Sequence, residues 1–173
     1  KKILIITTRS PFPPYGGDKI RIFEIIKYLS KYNSVDIFFC DYNYVKTDKK
    51  IKNKSFFFKL NLFERIINTF YSLITFKPMQ TGYFFSGKMK RKIEKDCNKY
   101  DTIIFHLTRS CNYMPNNFSG KVILEMTDVV SQNYNMTYNS INFFNPIKYL
   151  YKIESSLLKK YEIKMIKKFN HTV

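Results

Sequence analysis

Apolar positions in this chain fall into two alternating patterns. Short, almost unbroken apolar runs occupy 2–8 (KILIITT), 35–41 (VDIFFCD), 54–60 (KSFFFKL), 102–106 (TIIFH) and 121–126 (KVILEM), and each reads as a strand. Three of them are apolar nearly throughout, the pattern of parallel strands covered on both faces rather than strands with one wet face. Between them, apolar residues recur at helical spacing. Ile22, Ile25, Ile26 and Leu29 mark a helix from Asp18 to about Tyr32, and further helices are predicted over 62–76, 86–99 and about 146–169. Strand, helix, strand in this order implies right-handed crossovers and an open doubly wound, mainly parallel α/β sheet of the Rossmann-like kind.

Length fits that picture, since 173 residues support one core, and the reading is a single domain over 1–173. No run of 18 apolar residues exists; the longest candidate, 62–76, is interrupted by Glu64, Arg65 and Asn68. The first apolar stretch, Ile3 to Ile6, is shorter than the core of a signal peptide, so a cytoplasmic location is expected, with peripheral attachment to the inner membrane face left open. Cys40, Cys97 and Cys111 cannot all pair within one chain and lack metal-ligand spacing, so buried or incidental free thiols are expected. Only His106 and His171 offer imidazole, which argues against a closed zinc site.

In an open α/β sheet the ligand crevice lies beyond the carboxyl ends of the strands, so the loops there carry the chemistry. After the first strand comes RSPFPPYGGDKIR (9–21), a proline-stiffened arm with a glycine pair, Gly16 and Gly17, immediately before a helix. Glycines allow positive φ and close backbone approach, and a helix start offers free N–H groups to a phosphate. An ordinary tight turn accounts for the pair equally well on spacing alone. Neither GxGxxG nor GxxxxGK[ST] is present, which excludes the dinucleotide and P-loop fingerprints.

Taken whole, the opening (KILIITTRSPFPPYGGDKIR, 2–21), with PMQTGYF (78–84), YDTIIFH (100–106), LEMTDVVS (124–131) and the segment from Tyr151 to Glu162, resembles in order the amino-terminal half of family-four retaining glycosyltransferases of the GT-B fold, especially bacterial surface-polysaccharide members. The resemblance implies a two-domain enzyme. Its amino-terminal Rossmann-like domain holds the acceptor, a glycan or lipid-linked molecule, and its carboxyl-terminal domain holds most of the nucleotide-diphosphate sugar that serves as donor. The chain ends at HTV (171–173), where the family enters its last strand before the crossover. The donor domain is therefore expected to be a partner absent from this chain, and residues 1–173 alone are expected to transfer no sugar. No metal and no tightly bound cofactor is implied, since no Asp-x-Asp pair follows a strand.

Residue by residue, the resemblance places Gly16 and Gly17 beside the donor diphosphate. Asp18 is either an orienting or proton-accepting carboxylate or the helix N-cap, and Arg21 is a partner for phosphate or for Asp18. His106 matches a histidine that contacts the reacting sugar; its plainer reading is a partly buried ring satisfied by backbone. Arg109 is a candidate for anionic acceptor groups. Glu125 and Asp128 face the same crevice, with Asp128 either a matching acidic position or the cap of the next helix. Glu154 and Glu162 reproduce a Glu-x7-Glu spacing that the family uses in its other domain, and on this Lys-rich helix they read as a solvated face.

A formal charge of +17 calls for a polyanionic partner. Anionic headgroups on the cytoplasmic leaflet suit a lipid-linked acceptor, and 62–77 together with Lys88, Lys90, Arg91, Lys92 and Lys95 would make the contact; the apolar stripe of 62–77 reads otherwise as core-facing. The competing class is a basic nucleic-acid-binding or interaction module. Only five of the 30 basic residues are Arg and no reader motif occurs, so specific nucleic-acid recognition is not expected.

Overall fold

The computed structural model describes residues 1–42, 53–169 and 171–173. Its elements run β1 (Lys2–Thr7), α1 (Gly17–Leu29), β2 (Ser34–Asp41), β3 (Lys54–Lys59), α2 (Leu62–Ile74), α3 (Met79–Tyr83), α4 (Gly87–Asp96), β4 (Thr102–His106), β5 (Lys121–Glu125), α5 (Val130–Ser140), α6 (Ile147–Ile166) and β6 (His171–Thr172). Two 3₁₀ turns, Cys97–Lys99 and Thr108–Tyr113, flank β4. The strands form one six-stranded sheet in the order β3-β2-β1-β4-β5-β6, every described pairing parallel, as expected of a Rossmann-like α/β fold.

The continuous apolar runs are explained by the two faces they serve. Ile3, Ile5, Ile37, Phe39 and Ile104 point to one side and meet Ile22 and Ile26 of α1. Leu4, Ile6, Phe38, Phe105 and Leu124 point to the other, where α4 supplies Met89 and Ile93 and α6 supplies Met165. Fully burying a side chain of this size contributes about 2 kcal/mol, so the central strands anchor the fold. Coverage of the α1 side is incomplete. Beside the helix, over Ile104 and Ile123, a groove of about 740 Å³ stays open, walled by Ile20, Ile25, Tyr28 and Leu29.

Three elements depart from the sequence reading. Helix α1 stops at Leu29 because Ser30 Oγ returns to the Ile26 carbonyl and Asn33 Nδ2 donates to the Leu29 carbonyl, closing its last turn. Helices α3 and α5 are additional; both start on N–H groups that α6 satisfies. Glu154 accepts from Met79 and Gln80 N–H at 2.8 and 3.1 Å, and Glu162 accepts from Ser131 N–H and Oγ at 3.1 and 2.6 Å. The two glutamates are thus buried helix caps, not a solvated face. Burial pushes the Glu154 carboxyl above its ordinary range, against the pull of those two N–H groups.

Helix α2 also reverses the core-facing reading. Its inner face is polar: Arg65 and Ser72 are buried, and the Arg65 guanidinium lies between the rings of Tyr42 and Tyr83, 3.8 and 3.5 Å from their centroids. Its apolar residues face outward.

Candidate functional site

Parallel strands send their carboxyl ends the same way, and between β1 and β4 the strand order turns back, so the loops diverge and leave a crevice. The loop after β1 is braced before it reaches α1. Ser10 Oγ donates to the Phe12 carbonyl at 2.7 Å, Ser10 N–H donates to Asp41 Oδ2 at 3.1 Å, and the buried Phe12 ring meets Phe23 of α1 edge-on. The arm ends at Gly16, whose φ of +90° is one that residues with a side chain rarely adopt. A Cβ at Gly17 would meet nothing within 4 Å, so the space at the helix start is open. The first intrahelical bond runs from Ile20 N–H to the Gly16 carbonyl; the N–H groups of Gly17 and Asp18 lie ahead of it.

Asp18 is not the N-cap. Gly16 holds that position with no side-chain bond, and Asp18 serves instead as the counter-charge of two arginines. Its Oδ2 lies 3.5 Å from Arg9 Nη1 and 3.3 Å from Arg109 Nη2, while Oδ1 accepts from Lys19 N–H. Arg109 reaches this point from the 3₁₀ turn after β4. Its Nε donates to Thr8 Oγ1 at 2.8 Å, its guanidinium stands 4.9 Å from the Phe84 ring, and burial draws its pKa below the ordinary value, against the opposing field of Asp18.

One turn into α1, Arg21 Nε donates to Glu125 Oε1 at 2.8 Å rather than pairing with Asp18. The other oxygen of Glu125 is hydrogen-bonded to His106 Nδ1, and Thr127 Oγ1 donates to Oε1. The register of β4 and β5 sets His106 and Glu125 side by side, so this pairing follows directly from strand alignment. Burial alone would raise the Glu125 carboxyl, yet bonds from His106 and Thr127, the His106 charge and the bond from Arg21 hold it down at about 2. His106 is almost wholly buried and satisfied by this carboxylate, not by backbone. Next to it, Leu107 takes φ +63° and ψ 152°, a conformation usually left to glycine, and swings the chain from β4 into the turn bearing Arg109.

The crevice therefore holds two linked groups, Arg9–Asp18–Arg109–Thr8 and Arg21–Glu125–His106–Thr127. Gly16 and Gly17 sit between them on the surface. Three arginines face two carboxylates, and the side chains of Arg9 and Arg21 are 47% and 48% exposed. The arrangement has charge and donors to spare for an anion. Beyond Arg109 a cavity of about 360 Å³ is lined by Gln80, Tyr83, Phe84, Tyr134 and Glu154, a wall of polar and aromatic side chains.

Asp128 does not join either group. It is exposed, makes no hydrogen bond or ion pair among the described residues, and leaves the start of α5 to Glu162. Thr8, Arg9 and Thr127 belong to the site although the sequence does not single them out within the segments that contain them, and Glu125 is its centre. Arginine scarcity was a usable signal: of five in the chain, Arg9, Arg21 and Arg109 converge here. Comparison with protein families, curated proteins and solved structures finds no match for this chain.

Proposed function

We propose that this chain is the acceptor-side half of a retaining glycosyltransferase of the GT-B type, acting on a glycan or lipid-linked acceptor in surface polysaccharide synthesis. The observation that supports this best is the convergence of three arginines with an open Gly-Gly helix start at the β1/β4 switch point. In such a transfer the diphosphate of a nucleotide-sugar donor departs with growing negative charge. Arg9, Arg21 and the N–H groups of Gly17 and Asp18 are placed to receive it when a donor-holding domain closes over the crevice. Asp18 and Glu125 hold the arginine forks in place, and Glu125 fixes the orientation of the His106 ring. Arg109 and the cavity behind it suit an anionic or hydroxyl-rich acceptor. No nucleophile is assigned.

Amide chemical shifts test this directly on residues 1–173. Inorganic pyrophosphate and uridine diphosphate should move the Gly16, Gly17 and Asp18 amides in a saturable way, and Arg21→Ala should weaken binding about tenfold, the size of one charge-assisted bond. Shifts scattered over the lysine-rich helices, or none, would remove the proposal. Sugar transfer by residues 1–173 unaided would overturn its description as half an enzyme. Tight, sequence-tolerant polynucleotide binding with a steep salt dependence would favour the nucleic-acid alternative.

A further inference from the structure

Helix α2 is folded inside out. A surface helix of a water-soluble domain turns its apolar stripe to the core, but here Phe63, Ile66, Ile67, Phe70, Ile74 and the following Phe76 are each half or more exposed, Phe70 at 66% and Phe76 at 85%. The inward positions are Arg65, Asn68, Thr69 and Ser72. The polar face is held by specific contacts, with Arg65 Nη1 and Nη2 and Thr69 Oγ1 buried and without a hydrogen-bond partner among the described residues. Arg65 Nε donates to the Tyr83 carbonyl at 3.1 Å, its guanidinium is clamped by two rings, and Asn68 Nδ2 donates to the Phe85 carbonyl at 3.3 Å. At Gly82 the backbone of α3 comes so near that an added Cβ would lie 2.1 Å from the Asn68 carbonyl oxygen. The helix cannot roll its apolar side inward without breaking these contacts.

A second apolar surface lies at the tip of the α5–α6 hairpin, where Phe143 and Phe144 are 66% and 90% exposed. Both elements flank the cavity that Arg109 enters: α2 gives it Thr69, α5 Tyr134 and α6 Glu154. Basic residues outnumber acidic ones around α2, whose one carboxylate is Glu64, and Lys90 is paired with Glu94. Lys59 and Lys77 bracket the helix and Lys90 lines the cleft beside it, while Lys88, Arg91 and Lys95 on α4 make no ion pair among the described residues. With a formal charge of +17, a second copy of the chain is a repelled partner and an anionic surface an attracted one. No helix among the described residues is long and apolar enough to cross a membrane.

We infer that α2 is an in-plane membrane anchor: its outer face enters the interface of an anionic bilayer, with Lys59, Lys77 and the α4 cations over the headgroups, and this sets the Arg109 cavity against the lipid surface. The inference rests on the inverted packing of α2 and stands apart from the transferase reading.

The chain contains no tryptophan, so Phe70→Trp is a clean reporter on the outer face. With vesicles of phosphatidylglycerol and phosphatidylcholine its emission should shift to the blue and be quenched by lipids brominated on the acyl chain; with phosphatidylcholine alone, or at high salt, the effect should shrink. Ile67→Glu with Phe70→Glu should lower the partition coefficient by about tenfold or more while leaving circular dichroism and the thermal midpoint as in the parent, since both side chains are already in water. No sedimentation with anionic vesicles at low salt, an unquenched reporter, or unchanged partitioning of the double variant would each overturn the anchor. So would a blue shift that tracks protein concentration without lipid, which marks self-association, or one produced by polynucleotide instead of vesicles. Pyrophosphate shifts at Gly17 are read separately, so loss of vesicle binding with those shifts intact sinks the anchor alone, and the converse sinks the transferase reading alone.

Discussion

Glu125 accepts from Arg21 and Thr127 and pairs with His106 while almost wholly buried, so it ties α1, β4 and β5 together through one carboxylate. Its folded pKa, about 2, lies below the ordinary 4.5. The stability it contributes is therefore whole above about pH 5 and is lost as the pH falls through 2, an acid-side dependence worth roughly 3 kcal/mol. Glu125→Gln should cost about 3 kcal/mol in urea denaturation at pH 7 and should flatten the loss of stability between pH 5 and 2; a variant as stable and as acid-sensitive as the parent would contradict the network. Cys40, Cys97 and Cys111 are buried and unpaired, and burial pushes the Cys40 thiol up to about 12. None should react with an aromatic disulfide in the native protein, and all three should react in denaturant; a fast native phase would place one of them nearer the surface.

The helices show best what the sequence made legible and what it hid. Strands β1 to β5 are legible to within two residues because unbroken apolar runs leave little choice of partner, whereas the two-residue β6 has no such run. Helix α3 is missed since it has only five residues, follows Pro78 and contains Gly82, and α5 since VSQNYNMTYNS has weak propensity and no stripe. Both depend on distant carboxylates. Glu154 and Glu162 looked solvated among their lysines, yet Leu158 lies midway between them at helical spacing and is buried with them, a three-residue face that pointed inward. Glu154→Gln keeps one acceptor where two N–H groups need it and should cost about 1 kcal/mol; Glu154→Ala should cost about 2 kcal/mol and fray α3 in hydrogen exchange before the rest. In α2 the period is legible and two directions, toward a membrane surface or toward the core, stay open, because periodicity fixes which residues share a face and not which way the face turns. The direction is set by Arg65 and by Gly82, whose replacement by Ala drives a methyl into the Asn68 carbonyl and should cost about 3 kcal/mol by thermal denaturation, with the loss centred on α2 and α3.

For the molecule as a whole, the site was legible in part for the same kind of reason. The glycine pair, Asp18, Arg21, His106 and Arg109 could be placed at the mouth from strand order alone, whereas who binds whom depended on register: only the pairing of His106 with Glu125 across β4 and β5 shows that Arg21 serves that carboxylate and leaves Asp18 to Arg9 and Arg109. The sheet is also lopsided. Helices α4 and α6 close one face, but beside α1 the other face keeps an open apolar groove whose walls include the exposed Ile20, Tyr28 and Val173. Calorimetry should register that asymmetry. Any polypeptide that comes to rest on the uncovered strip hides aliphatic surface that the chain now leaves wet, so it should raise the melting temperature and the heat-capacity step of unfolding together, whereas a small anion at the strand ends would raise the first and leave the second unchanged.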